Sequence, residues 1–336
     1  MKSMVKNQTG KARGIGLLSG GLDSMLSARI LMDQGVDIIG ITFETPFFGS
    51  AKGAWAANSM GIHHIILNIT DEHLDMVKNP SHGYGRNMNP CIDCHAMMFR
   101  KAGDLLGEME ANFLFSGEVL GQRPMSQNAR ALATVEKASG YEGLILRPMS
   151  ARLLPETQVE RDGIVDRSRL LDIQGRSRKR QMEIAGALDI REFPTPAGGC
   201  LLTDPGFSLR LRDLFDHNPD ASPLDVKRLR VGRHFRMPSG SKVIIGRHHA
   251  DNEELEGLFS PGDYDLRLAE IPGPATLVEG TALSDEVSLA ASFIVRYSKA
   301  AEEDHAPVRV KFPDGTEKIL DASAAEWNIL ERFRIA

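Results

Sequence analysis

Ser19-Gly20-Gly21-Leu22-Asp23-Ser24 follows directly on the apolar run Gly14-Ile15-Gly16-Leu17-Leu18, and a helical stretch from Met25 to Asp33 comes next. A strand, a Gly-Gly turn and a helix N-terminus in that order make a cradle for an anion. Glycines let backbone N–H groups approach a phosphate with no Cβ in the way. The helix dipole favours negative charge there, and the two serines add hydroxyl donors. The segment is not a Walker loop, because no Gly-Lys-Ser/Thr follows at the required spacing.

The rest of the first half alternates strand and helix. Strands are expected at 14–18, 36–43, 63–69 and 112–117, and helices at 25–34, 51–60, 70–77 and 94–109. The β-branched run Val36-Asp37-Ile38-Ile39-Gly40-Ile41-Thr42-Phe43 is the clearest of the strands. Such alternation predicts a doubly wound α/β fold, a parallel sheet with helices on both faces. Ligands then bind beyond the strand C-termini. The glycine cradle, Phe43 and the turn Ser116-Gly117 all fall at that edge. His63-His64 opens a strand and reads as structural.

A chain of 336 residues has room for two domains. The character changes at Asp216-His217-Asn218-Pro219-Asp220-Ala221-Ser222-Pro223, a linker signal. We therefore expect domains 1–216 and 217–336, the second a small α+β unit. Its strands include Lys242–Gly246 and Ala275–Val278, and Asp314-Gly315 turns a hairpin. The net charge of −5 excludes a uniformly basic nucleic-acid binder but not a local basic face. No run of about 18 apolar residues occurs, and the basic N-terminus leads into no signal-peptide core. No membrane partner and a cytoplasmic location are expected.

Cys91, Cys94 and Cys200 are the three cysteines. An odd count does not suggest a disulfide framework. Cys91-Ile92-Asp93-Cys94-His95 precedes a helix, where a thiolate is favoured. Its form admits a c-type haem attachment site, a thioredoxin-like dithiol, a zinc site completed by Cys200 and His95, or two buried structural cysteines. It also admits a [4Fe–4S] cluster. Three thiolates leave one iron without a protein ligand, able to carry an exogenous sulfide. Cys200 lies in Phe193-Pro194-Thr195-Pro196-Ala197-Gly198-Gly199-Cys200, a shaped loop.

SGGLDS resembles the PP-loop of ATP pyrophosphatases. With Cys94-His95-Ala96-Met97-Met98-Phe99-Arg100, Ser116-Gly117-Glu118-Val119-Leu120-Gly121-Gln122-Arg123-Pro124-Met125-Ser126-Gln127 and Leu146-Arg147-Pro148-Met149, the stretch 14–205 is similar to the tRNA thiolation enzymes, above all the 4-thiouridine synthetases. The resemblance implies an ATP-dependent sulfurtransferase acting on tRNA. A uridine oxygen is adenylated and then displaced by sulfur. It implies that Ser19, Gly20, Gly21, Leu22, Asp23 and Ser24 hold ATP, with Asp23 near Mg²⁺ and with Phe43, Ser116, Gly117 and Gln122 around the nucleotide. Cys91, Cys94 and Cys200 match the cluster-bearing members as metal ligands. The sulfur donor would be inorganic sulfide or a cysteine desulfurase, and a homodimer is compatible with the family. Two departures are expected: the N-terminal RNA-binding extension of the classical members and a rhodanese-like C-terminal domain are both missing.

Gly246-Arg247-His248-His249-Ala250-Asp251-Asn252-Glu253, with the strands around it, is similar to the RNA-binding domain of NFACT-type ribosome quality-control proteins. The resemblance implies that Arg247 and His248 contact phosphate or a base. The basic run Arg176-Ser177-Arg178-Lys179-Arg180 is either a solvated helix face or a second RNA contact through Arg176, Arg178, Lys179 and Arg180. Wobble 2-thiouridine synthesis, a PP-loop reaction on a small molecule and a non-enzymatic RNA adaptor are the rival readings.

Overall fold

Glycine-spaced apolar residues at Arg13–Leu17 form β1, the central strand of the first sheet. The computed structural model describes residues 11–193 and 199–336 of the chain. On one side of β1 lie β2 (Asp37–Glu44) and then β3 (His63–Asn68). On the other lie β4 (Phe113–Ser116) and then β5 (Ile145–Leu146). All four pairings are parallel, with Leu17 opposite both Ile41 and Ser116.

Among the described residues seven α-helices surround this sheet: α1 (Leu22–Met32), α2 (Ala51–Met60), α3 (Thr70–Lys78), α4 (Cys91–Gly103), α5 (Ala129–Ser139), the short α6 (Gln158–Arg161) and α7 (Lys179–Ala187). On one face Leu22, Leu26, Ala56 and Ala185 pack with Phe113 and Phe115. On the other, Phe99, Ala102 and Val135 pack with Ile15, Ile41, Phe43 and Leu114. Burial on both faces is why β1 and β2 read as near-continuous apolar runs.

The doubly wound fold stands as expected. The chain turns to one side after β1 and to the other with β4, so the loops after these two strands flank a topological switch point. The helix expected at 94–109 is Cys91–Gly103. Its earlier start places both CxxC cysteines on its first turns. The two-residue β5 is too short to carry a periodicity, and neither it nor α5 was foreseen.

The two compact units divide between Leu201 and Leu202, ahead of the expected 216/217. Helix α8 (Pro205–His217) belongs with the second unit. Arg236 ion-pairs with Asp213 at 2.5 Å, and Arg210 Nε donates to the Leu229 carbonyl. Charged side chains thus tie to the following domain a helix that the linker signal placed before it.

In the second unit α9 (Pro223–Arg228) precedes β6 (Arg233–Arg236), β7 (Lys242–Ile245), α10 (His249–Glu256), β8 (Tyr264–Leu268), β9 (Thr276–Glu279), α11 (Ser284–Arg296), β10 (Ala306–Lys311), β11 (Glu317–Ala322) and α12 (Trp327–Phe333). The sheet order is β11-β10-β8-β9-β7-β6, and every pairing is antiparallel. The Asp314-Gly315 hairpin joins β10 to β11, with Gly315 at φ +81°. Phe235, Val278, Phe293 and Val308 centre the core. Among the described residues no helix is long and apolar enough to cross a membrane.

Candidate active site

The cradle forms at the C-terminal end of β1. Gly20 has φ +77°, and a Cβ there would lie 2.2 Å from the Lys52 carbonyl oxygen. Gly21 is the N-cap of α1, and no side chain caps it. Ser24 N–H turns back to the Gly21 carbonyl at 3.1 Å, and the Leu22 and Asp23 N–H groups are left for a ligand. Ser24 Oγ donates to the Gly21 carbonyl at 2.8 Å and lies 3.4 Å from Ser19 Oγ. Gly117, just past β4, backs this loop: a Cβ there would sit 2.4 Å from Ser24 N.

Three distant segments meet at Asp23. Its Oδ2 accepts from Gln122 Nε2 at 3.1 Å and lies 4.0 Å from Arg178 Nη2. Asp23 Oδ1 and Arg178 Nε are both buried with no protein partner. Such groups cost about 1–3 kcal/mol each when left unmade. A carboxylate oxygen and a guanidinium N–H standing open side by side suit a metal–phosphate pair.

Arg178 thus stands beside the cradle. The basic run suggested RNA contact, but the geometry turns Arg178 toward Asp23. Arg180 instead pairs with Asp172, whereas Arg176 and Lys179 are exposed. Phe43 needs a correction too. It is 4% exposed in the core among Ile41, Ile69 and Phe99, so its ring has no free face to offer a nucleotide. The residue of β2 that faces the cradle is Thr42, whose Oγ1 donates to the Leu18 carbonyl at 2.6 Å and meets His64 Nε2 at 2.8 Å.

The thiols lie on the same edge of the sheet, because helices of a parallel sheet begin where the strands end. None of the three cysteines is in a disulfide. Leu201 N–H donates to the Phe47 carbonyl at 3.0 Å. Phe47 and Phe48 both pack on the His73 ring, and His73 Nε2 is 3.3 Å from Cys94 Sγ. That chain of contacts draws the Cys200 segment toward Cys94. Burial raises the Cys94 thiol well above its ordinary range, and the neighbouring Cys200 and Cys91 charges push it the same way. Burial also holds His73 neutral, with its pKa down at about 4. Asn89 Nδ2 donates to Cys91 Sγ at 3.3 Å. Residues 194–198, which contain both prolines of the loop before Cys200, lie outside the described residues.

Does this donor set fit a metal group? Among the described residues no three His, Cys, Asp or Glu side chains converge as ligands to one ion. A lone zinc needs such convergence. A cluster presents its irons at separate corners and needs thiolates around a larger volume. Three thiol sites that repel one another as anions, with Asp93 adding to that negative field, fit a cationic group of that extent. His95, the fourth ligand of the zinc reading, has its Nδ1 engaged at 2.6 Å by Glu118 Oε1.

Glu118 links the two halves of the site. Ser116 Oγ donates to it at 3.0 Å, and Arg147, leaving the end of β5, donates at 2.9 Å and also pairs with Glu136. Burial alone would raise Glu118; Arg147 and the His95 hydrogen bond outweigh it and hold the carboxyl at about 2. Gly117, beside it, touches the cradle. Glu118 and Arg147 stood in quoted motifs without a role. His73 carried no motif at all.

Arg247 and His248 have mainly architectural partners. Arg247 is bidentate on Asp251, with Nε–Oδ2 at 2.5 Å and Nη2–Oδ1 at 3.1 Å. His248 Nδ1 caps α10 by accepting from Asp251 N. Asn252 Oδ1 accepts from Ala275 N at 3.0 Å. The Gly-Arg-x-x-x-x-Asn-Glu pattern thus first locks a strand-to-helix turn.

Fold and loop together define a PP-loop nucleotide-binding domain followed by a separate antiparallel domain. Residues 9–152 match the family described as Thiamine biosynthesis protein (ThiI), and residues 232–334 match the NFACT protein RNA binding domain. Both resemblances read from the sequence therefore stand. The tRNA-specific 2-thiouridylase MnmA of Bradyrhizobium sp. (strain ORS 278) is 32% identical over 149 residues, 38% of this chain and 37% of its own length. The tRNA-specific 2-thiouridylase MnmA 1 of Fusobacterium nucleatum subsp. nucleatum is 33% identical over 104 residues, 30% of this chain and 29% of its own. The chain thus spans well under half the length of the curated relatives it matches. A solved 4-thiouridine synthetase–RNA complex with bound ATP overlaps 53% of this chain and 52% of its own, at 17% identity and a TM-score of 0.32.

Proposed function

We propose that this chain is an ATP-dependent tRNA sulfurtransferase that converts a uridine carbonyl to a thiocarbonyl, making 4-thiouridine. The backbone N–H groups of Ser19–Ser24 and the Arg178 guanidinium hold the ATP phosphates. Asp23 holds Mg²⁺, which bridges phosphate oxygens and needs few protein carboxylates. Gln122 fixes the orientation of Asp23. The uridine oxygen attacks the α-phosphorus and pyrophosphate leaves. Sulfur then adds at the activated carbon, and AMP departs with the former carbonyl oxygen.

Cys91, Cys94 and Cys200 would hold a [4Fe–4S] cluster. When bound, it supplies an open iron position for sulfide, given by inorganic sulfide or a cysteine desulfurase. His73 and Asn89 support the sulfurs of Cys94 and Cys91, and Glu118, through His95, fixes the thiol helix against the PP-loop edge. The C-terminal domain grips the tRNA.

The observation that carries this reading is the meeting of Cys200 with Cys94 at the strand edge that bears Asp23, Gln122 and Arg178. Anaerobically purified protein should contain iron and sulfide, and with ATP, sulfide and unmodified tRNA it should release AMP and pyrophosphate. Colourless, iron-free protein that thiolates tRNA would reject the three-ligand role. A second reading, 2-thiouridine synthesis, is favoured by the similarity to the 2-thiouridylases. Mass spectrometry of the digested product separates the two.

A further inference from the structure

The C-terminal unit carries a cationic, aromatic face that none of the motifs marks. Trp327, at the start of α12, is 53% exposed. It meets Tyr297 in a T-shaped arrangement, with centroids 5.7 Å apart, and about half of its surface stays open to solvent. The Arg233 guanidinium lies 4.4 Å over the Tyr297 ring, and that of Arg296 lies 5.7 Å from the Trp327 ring. Arg233 Nη1 donates to the Gly246 carbonyl and Arg296 Nε to the Ala325 carbonyl. Among the described residues neither has a carboxylate partner. Arg334 is shared with Glu331 at 2.6 Å, and Arg247 with Asp251. Burial lowers the Arg233 pKa; Tyr297 and Asp251 act against this, while the charges of Arg334 and Arg247 lower it further. The cations therefore gather on one face, and neither Arg233 nor Arg296 is in a carboxylate ion pair among the described residues.

Arg228 is neutralised by Asp263 and Glu279. Arg233 and Arg296 instead leave positive charge beside an exposed stacking surface. Unpaired bases stack on aromatic side chains and on guanidinium planes, and arginines neutralise the adjoining phosphates. A duplex hides its base faces and cannot use the indole. We propose that the face formed by Trp327, Tyr297, Arg233, Arg296 and Arg334 receives an unpaired nucleotide of the RNA substrate, its base on Trp327 and its phosphates on the arginines. This deepens, and rests on, the tRNA reading.

The chain has two tryptophans, so Trp55→Phe leaves Trp327 as the sole reporter. Full-length protein is titrated with a single-stranded oligouridine, an RNA duplex of equal length and unmodified tRNA. The expected result is quenching of Trp327 by oligouridine and by tRNA, with the duplex at least about tenfold weaker. Trp327→Ala should weaken binding about tenfold, near one lost base stack, while Trp327→Phe recovers most of it. Arg233→Ala should reduce the salt slope by about one. Trp327 stands mostly in solvent, so these variants should keep the native circular dichroism spectrum. RNA binding with no quenching and an unchanged Trp327→Ala affinity overturns this face and leaves the tRNA reading intact. Parent protein that binds no RNA overturns both.

Discussion

The polar groups of the two signature motifs have opposite fates. In the PP-loop unit, Asp23 and Arg178 approach each other, yet each keeps a buried atom without a partner. In the C-terminal unit, Arg247, Asp251 and Asn252 use each other and the backbone. A motif with open polar atoms is prepared for a ligand. A motif that satisfies itself serves as architecture first, and the proposed RNA face lies instead on Trp327 and its arginines. Each unit also has a buried arginine between two carboxylates: Arg147 with Glu118 and Glu136, and Arg228 with Asp263 and Glu279.

Those two arginines give the largest expected effects. Removing one partner of a buried ion pair costs about 3–5 kcal/mol, because the remaining charge is stranded. Arg147→Met should fall in the upper part of that range. Arg228→Met should fall near its bottom, because Lys242 stays 3.8 Å from Glu279. Urea unfolding of each variant measures both. Equal losses would mean that Lys242 does not compensate.

Next in size is the cradle itself. Gly20→Ala combines a left-handed backbone with a 2.2 Å clash, and Gly117→Ala drives a methyl into the Ser24 amide. Each should lower ATP–pyrophosphate exchange about a hundredfold or more, ~2.7 kcal/mol of transition-state binding. Exchange at the parent rate would show that the phosphates bind elsewhere. Arg178→Ala should cost about tenfold in exchange with unchanged tRNA affinity, whereas Arg180→Ala should change exchange little. A tRNA defect in Arg178→Ala with normal exchange would return Arg178 to the RNA surface.

The fold of the first unit was legible because its signals are local. SGGLDS and the β-branched run 36–43 each mark an element with a few neighbouring residues. The candidate site was half legible. Asp23 and the cysteines announce their chemistry by type and spacing, but their partners come through topology. Arg178 read as one cation in a basic run, and only packing turns it to Asp23. Phe43 read as a strand-edge aromatic, but β2 is buried on both faces, and Phe43 packs with Ile41 and Phe99 while Thr42 bonds the Leu18 carbonyl. His73 reaches Cys94 from another helix, a relation with no sequence period. The contact division falls at 201/202, ahead of the Asn-Pro linker signal, because Arg236–Asp213 ties α8 to the residues that follow it.

The smallest effect tests the self-satisfied motif. Asp251 would be raised by burial, but the hydrogen bonds from the Arg247 side chain and from the Arg247 and Gly232 amides bring it to about 2, against an ordinary 3.8. A depressed carboxyl stabilises the fold fully above its unfolded value. That contribution drains away as pH falls through the folded value, so the window runs from about pH 4 down to 2. Asp251→Asn should lower stability at neutral pH and flatten the acid limb of the unfolding midpoint across that window. The same variant frees Arg247 from its bidentate partner. If the Gly-Arg turn is architecture, tRNA affinity should then change less than it does in Trp327→Ala. A larger gain or loss in Asp251→Asn would mean that Arg247 reads the RNA directly, and the contrast between open and closed motifs would fail in the C-terminal unit.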